Sequence, residues 1–224
     1  VTVVKRVMVV GGSGAGKTWL ALQLARRFGL PVHHVDQLSW QPGFIHRTAE
    51  ELDGLTRDIH ARDAWVLEGG HYETARERAS RAQLLIWVDP GRTTQMARVA
   101  WRSLRHHGKV RPGMGEGCCE WFGTRTIEAM TYASTSRDFH RDRAQEVTAA
   151  APASLGVLHL RSALHTYRFL WHCRALGAGP GFAIDHLPLH PPLWRRGAAL
   201  MTMLIPALSL VCGAEVGIHP RTGL

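Results

Sequence analysis

The chain has 224 residues, 45% hydrophobic and 20% charged, with a formal net charge of +9. This is enough apolar chain to bury a sizeable core in one main domain, and the composition excludes a disordered or fibrous protein. The positive balance suits anionic ligands such as nucleotides, other phosphate esters or nucleic acid.

The first element is an apolar run, Val7, Met8, Val9 and Val10, which predicts a buried parallel strand over about 4–10. Gly11, Gly12, Ser13, Gly14, Ala15, Gly16, Lys17 and Thr18 follow. They fit G-x-x-x-x-G-K-[ST], the phosphate-binding P-loop. A phosphate chain must lie against several backbone N–H groups, so bulky side chains are excluded from such a loop. Lys17 supplies a point charge for the β- and γ-phosphates, and Thr18 can place its hydroxyl on Mg²⁺. Leu20, Ala21, Leu24, Ala25 and Phe28 then recur at helical spacing up to Gly29, with Pro31 beyond.

Residues 31–35 predict a second strand ending at Asp36, and Thr48 to Glu51 forms a capping box that opens a helix with Leu52, Leu55 and Ile59 on one face. A third strand over 64–67 ends at Glu68, Gly69 and Gly70, a fourth over 83–88 at Asp89 and Pro90, and a fifth over 155–160 at Arg161 and Ser162. A helix over about 163–176 closes the domain. The alternation predicts a parallel five-stranded α/β sheet covered on both faces. In such sheets functional groups gather at the carboxyl ends of the strands, where Asp36, Glu68, Asp89 and Arg161 stand.

Residues 92–111 hold Arg92, Arg98, Arg102, Arg105, Lys109 and Arg111 without an acidic residue. Arg98, Arg102 and Arg105 share one helix face, and Trp101 is expected to point inward. The glycine-rich stretch 108–117 reads as a mobile lid, about 106–124 in all, that closes over phosphates and excludes water. Trp65, Trp87 and Trp171 are expected in the core. Cys118 and Cys119 are adjacent and have no second pair at zinc-finger spacing, and the four cysteines make no disulfide framework. The short apolar start predicts no secretory signal, and a cytoplasmic location follows. From Gly177 a Gly/Pro-rich linker leads to an uncharged run over 197–213, interrupted by Pro206 and too short for a membrane span. The expected division is therefore a domain over 1–176 and a tail over 177–224.

The P-loop, the stretch from Val35 to Gly43, the Glu68-Gly69-Gly70-His71-Tyr72 turn, Asp89 to Arg92, and Arg111 to Met114 together resemble the adenylate-kinase-like P-loop proteins called DNA topology modulation (FlaR-related) proteins. The resemblance implies a nucleoside/nucleotide-kinase-like three-layer sandwich with a short lid, binding ATP and Mg²⁺. It implies transfer of the γ-phosphate to a small acceptor, a nucleoside or nucleotide, with Asp36 contacting the acceptor or its magnesium. Glu68, Gly69, Gly70, His71 and Tyr72 would line the acceptor pocket, joined by Arg92. Lys17, Arg102 and Arg111 would neutralise the transferring phosphate, and Arg161 would lie by the adenine. The family name also suggests a nucleic-acid-associated ATPase or regulator as an alternative, although no recognised DNA-binding module is present.

Overall fold

The computed structural model describes residues 2–184. In chain order the elements are β1 (Thr2–Val4), β2 (Arg6–Val10), α1 (Lys17–Phe28), β3 (Val32–His34), α2 (Val35–Ser39), β4 (Trp40–Gln41), β5 (Ile45–His46), α3 (Ala49–His60) and β6 (Trp65–Glu68). They continue with α4 (Ala75–Arg81), β7 (Leu84–Val88), α5 (Arg92–Arg105), α6 (Thr124–Thr135), α7 (Arg137–Ala149), β8 (Gly156–Leu160), α8 (Ala163–His172), β9 (Cys173–Ala175) and β10 (Phe182–Ile184).

The apolar runs form a parallel sheet in the order β3, β6, β2, β7, β8. Strand periodicity sends alternate side chains to opposite faces. Val7 and Val9 pack with Leu20 and Leu24 of α1 and with Phe169 and Leu170 of α8. Met8 and Val10 pack with Ile59 of α3, Ala75 and Ala79 of α4, and Ala144 and Val147 of α7. Two cores on one sheet make a three-layer α/β sandwich, the P-loop architecture, and explain why β2 and β7 read as unbroken hydrophobic runs.

The helix ends obey their sequence signals. Gly29 caps α1 in the left-handed region at φ 65°, donating its N–H to the Ala25 carbonyl. Thr48 and Glu51 form a reciprocal capping box at the start of α3. By contrast, no side chain caps the N-terminus of α1, whose N-cap is Gly16. Its first N–H groups therefore have no side-chain cap.

Several expectations need correction. The first strand divides at Lys5 into β1 and β2, and only β2 joins the parallel sheet. The closing helix stops at His172, because Cys173–Ala175 forms a strand instead. The boundary expected at residue 176 falls inside a second, antiparallel sheet of order β1, β10, β9. The Gly/Pro stretch 177–181 is the turn of that β9–β10 hairpin, and Phe182 is fully buried against Phe28 and Phe169. Trp171 is 85% exposed and Trp101 is 43% exposed. Both lie on the outer faces of their helices, whereas Trp65 and Trp87 are buried strand residues. The uncharged run over 197–213 lies outside the described residues, among which no helix is long and apolar enough to cross a membrane.

Phe182 ties the hairpin to α1 and α8. Replacing it, as Phe182→Ala, should lower unfolding stability by about 3–5 kcal/mol, the usual cost of emptying a buried phenylalanine site. Denaturant unfolding of the full chain measures this; an unchanged midpoint would mean the hairpin is not part of the cooperative core.

Candidate active site

The glycine loop leaves β2 at the carboxyl edge of the sheet and is clamped between β7 and α5. A Cβ on Gly11, at φ 144°, would stand 2.2 Å from the Val88 carbonyl oxygen, and one on Gly14, at φ 74°, would stand 2.3 Å from that of Gln95. No other residue fits these positions. The Arg98 guanidinium donates to the Ala15 carbonyl at 2.7 Å, and the Lys17 ammonium donates to the Gly12 carbonyl at 2.9 Å. Lys17 thus lies back across its own loop. Burial pulls its pKa below the usual lysine value, against the opposing pull of Glu68 and Asp36.

Beside the loop, the ends of β3 and β6 supply carboxylates. Glu68 Oε1 accepts the Thr18 hydroxyl at 2.9 Å and is 2.7 Å from His34 Nδ1. Asp36 stands in the first turn of α2, one residue beyond the expected strand, and its Oδ2 is 3.0 Å from Arg111 Nη2. Burial pushes the Asp36 carboxyl up, but Arg111, Lys17 and Arg102 together hold it below the ordinary carboxylate range. Its side chain remains 53% open to solvent, so these attractions are screened.

The segment over 106–124 packs onto this centre. A Cβ on Gly113 would meet His34 Nδ1 at 2.9 Å and Thr18 Cγ2 at 3.0 Å. Cys118 is buried and donates its thiol to the Gln41 carbonyl. Glu120 sits between Arg111 and Arg102 of α5. Arg111 Nε lies 2.7 Å from Glu120 Oε1, Arg102 Nε lies 3.5 Å from the same oxygen, and the Ser103 hydroxyl donates to Oε2 at 3.1 Å. Burial opposes ionisation of Arg111, yet Asp36 and Glu120 raise its pKa above the ordinary arginine value.

The Glu68-Gly69-Gly70-His71-Tyr72 turn runs away from the loop and is held from behind. Buried His71 bonds to Asp53 of α3 at 2.6 Å through Nε2 and to Glu73 at 3.0 Å through Nδ1. Arg78 of α4 is fully buried and donates to the His71 carbonyl; burial brings its pKa down to about 10. Tyr72 instead faces α7, where its hydroxyl is 3.2 Å from His140 Nδ1, while the Tyr132 hydroxyl is 3.5 Å from Nε2. His140 also borders Gly70. Burial and the charge of Lys17 lower the His140 pKa to about 4, so the ring is neutral at physiological pH.

The structure therefore forms two contact clusters, Thr18 with Glu68 and His34, and Asp36 with Arg111, Glu120 and Arg102, with the Lys17 charge felt by both Glu68 and Asp36. Other sequence candidates stand elsewhere. The His71 ring is turned onto α3, and Arg92 is exposed and paired with Asp138 at 3.2 Å. Exposed Arg161 follows β8, on the side of His159, whose pKa it helps to lower. Asp89 is buried among Arg137 at 2.8 Å, Arg141 at 3.3 Å and His159 at 3.6 Å. Sequence reasoning missed His34, Glu120 and His140. His34 was legible as a strand-end residue two places before Asp36. Glu120 carried a fainter signal, an acid closing a basic segment, and His140 carried none.

Thr18 spends its hydroxyl hydrogen on Glu68, which leaves its oxygen lone pairs for a cation, and the Glu68 carboxylate is a hard oxygen ligand of the kind Mg²⁺ prefers.

No protein-family profile matches the chain, and no curated protein matches it. Among solved structures, a shikimate kinase from Acinetobacter baumannii in complex with shikimate is similar at 14% identity, covering 95% of this chain and 96% of that one, with a TM-score of 0.44. A gluconokinase from Sinorhizobium meliloti 1021 is similar at 13% identity over 75% of this chain and 87% of that one, with a TM-score of 0.40. A shikimate kinase from Bacteroides thetaiotaomicron is similar at 15% identity over 95% and 100%, with a TM-score of 0.40.

His140 gives a pH prediction. Its folded pKa, about 4, lies below the unfolded value of about 6.5, so the native state binds fewer protons between them. The contribution is fully present above pH ~6.5 and is lost as pH falls towards about 4. Buried His60 and half-buried His33 have lowered values too and act in the same direction. His140→Gln should therefore flatten, not abolish, the fall in stability across this window. Denaturant midpoints at several pH values check it; an identical slope in both proteins would contradict the burial argument.

Proposed function

We propose that the chain is an ATP-dependent phosphotransferase that moves the γ-phosphate of ATP to a hydroxyl of a small acceptor, a nucleoside or nucleotide. The observation that carries this reading is the gathering, beside the glycine loop, of Glu68 at the end of β6, Asp36 at the start of α2, Arg102 of α5 and Arg111. Thr18 bonds to Glu68, Arg111 bonds to Asp36, and Arg102 shares Glu120 with Arg111. Phosphoryl transfer needs positioning and charge neutralisation more than covalent help from the protein. These groups supply both.

In this reading the loop N–H groups and the uncapped start of α1 hold the phosphates, and Lys17 leaves the Gly12 carbonyl for the β- and γ-oxygens. Thr18, with Glu68 beside it, would hold Mg²⁺, which neutralises charge on the phosphate oxygens when bound. Asp36 orients the acceptor hydroxyl. The acceptor oxygen bonds to Pγ as the bond from Pγ to the β,γ-bridging oxygen breaks; ADP departs, and the hydroxyl proton passes to Asp36. Tyr72, neutral His140 and the Gly70 backbone border the acceptor. Residues 106–124 act as the lid, with Arg102 and Arg111 over the transferring group. Water exclusion by this lid keeps the acceptor ahead of hydrolysis.

ADP release from ATP and Mg²⁺ against nucleosides, nucleoside monophosphates and small hydroxy acids tests the reading. One acceptor should stimulate strongly. Lys17→Ala should reduce that rate by at least about 100-fold, and Asp36→Asn should lose about 10²–10⁴-fold in turnover while retaining ATP. Stimulation by DNA or RNA alone, with no response to any small acceptor, would overturn it.

A further inference from the structure

Glu120 is the one carboxylate in the site that comes from the lid segment itself, and its place is fixed from three directions. Its backbone N–H donates to the Lys109 carbonyl at 2.9 Å, and its carbonyl accepts the Gly108 N–H at 2.8 Å, so the two limbs of the segment are laced together at this residue. Its side chain reaches back to helix α5. Buried Ser103 holds Oε2 at 3.1 Å, while Oε1 lies 3.5 Å from Arg102 Nε and 2.7 Å from Arg111 Nε.

Two guanidiniums meet here, one on a rigid helix and one on the lid, and the Arg111 charge disfavours that of Arg102. Without an anion between them they would move apart. Arg111 has a second carboxylate, Asp36, on another edge of its fork, at Nη2. The two partners are unequally buried. The Glu120 side chain is 16% exposed and that of Asp36 is 53% exposed. A phosphoryl group arriving at the P-loop competes for Arg111 on its Nη2 side, where the weaker, more hydrated contact yields first.

We propose that Glu120 is the positioning residue of the lid: it holds Arg102 and Arg111 together, so that Arg111 exchanges Asp36 for the transferring phosphoryl group while keeping Glu120. This rests on the phosphotransfer reading above and adds to it how the lid arginines are aimed. The exchange also frees Asp36 to meet the acceptor hydroxyl when the nucleotide is in place.

The test compares full-length wild type with Glu120→Gln, which keeps the shape and removes the charge. Expected are a fall in kcat of about 100-fold, as for loss of a charge-stabilising contact, and a change of under about threefold in ATP affinity by intrinsic tryptophan fluorescence. Amide exchange across residues 106–122 should rise, with the sheet unaffected. Glu120→Asp, one methylene shorter, should recover part of kcat. A kcat within about twofold of wild type, or a loss carried wholly by weaker ATP binding, overturns the proposal. So does unchanged exchange in 106–122. That last arm needs no turnover: a wild type that binds ATP yet phosphorylates nothing would sink the phosphotransfer reading, while exchange would still decide whether Glu120 anchors the lid. Should Glu120→Gln fold poorly, Ser103→Ala retains every charge and carries the same two readouts. Faster exchange with lower kcat supports anchoring through α5, and no change in either overturns it.

Discussion

The tightest constraint in this molecule is steric. The loop after β2 passes so close to the Val88 and Gln95 carbonyls that Gly11 and Gly14 admit no side chain. That passage turns the chain from the central strand straight into α1 and leaves the start of the helix uncapped. Everything polar in the site is arranged around the result. Thr18 and Lys17 open α1, β3 and β6 end beside it with Asp36 and Glu68 close behind, and α5 lines the opposite side with Gln95, Arg98 and Arg102. Loosening the loop would cost a turn and, with it, the common origin around which these polar groups are placed.

Around that origin the charges are balanced. Lys17, Arg102 and Arg111 meet Asp36, Glu68 and Glu120, and the pKa shifts follow from who faces whom. Burial works against Lys17 and Arg102, whereas Arg111, gripped by two carboxylates, is raised in spite of it. An arriving triphosphate would be received by a pre-neutralised site in which cations already have partners to give up. Such a site exchanges one set of ion pairs for another and avoids burying lone charges in the resting protein. Away from the site the same economy recurs at Asp89, where one buried carboxylate holds two arginines of α7 against the sheet.

How far the sequence showed this depended on whether the signal was local. The P-loop, the glycine end of α1, the capping box at Thr48 and the five parallel strands are all written in short stretches, and each lies within a residue or two of its expected place. Long-range partners were not legible. Nothing near residue 120 shows that its carboxylate reaches Arg102 of α5, and nothing near His140 shows that it meets Tyr72. The β9–β10 hairpin was hidden for a related reason. Its turn is a Gly/Pro stretch that reads locally as a linker, and only pairing with β1 makes it structure. Trp171 misled because helical spacing gives a face only when most of its neighbours agree, and in α8 the apolar stripe belongs to Phe169 and Leu170.

That hairpin has an implication for how the protein is made. Thr2 pairs with Ile184 and Val4 with Phe182, so the first described strand finds its partner only after nearly all of the described chain has left the ribosome. The parallel sheet can gather progressively as its strands emerge, but β1 must wait, exposed, for its mate. Such a delayed seam makes the arrival of the β9–β10 hairpin a late event of folding, and a chain truncated ahead of residue 182 would carry an open strand edge ready to pair with a neighbour.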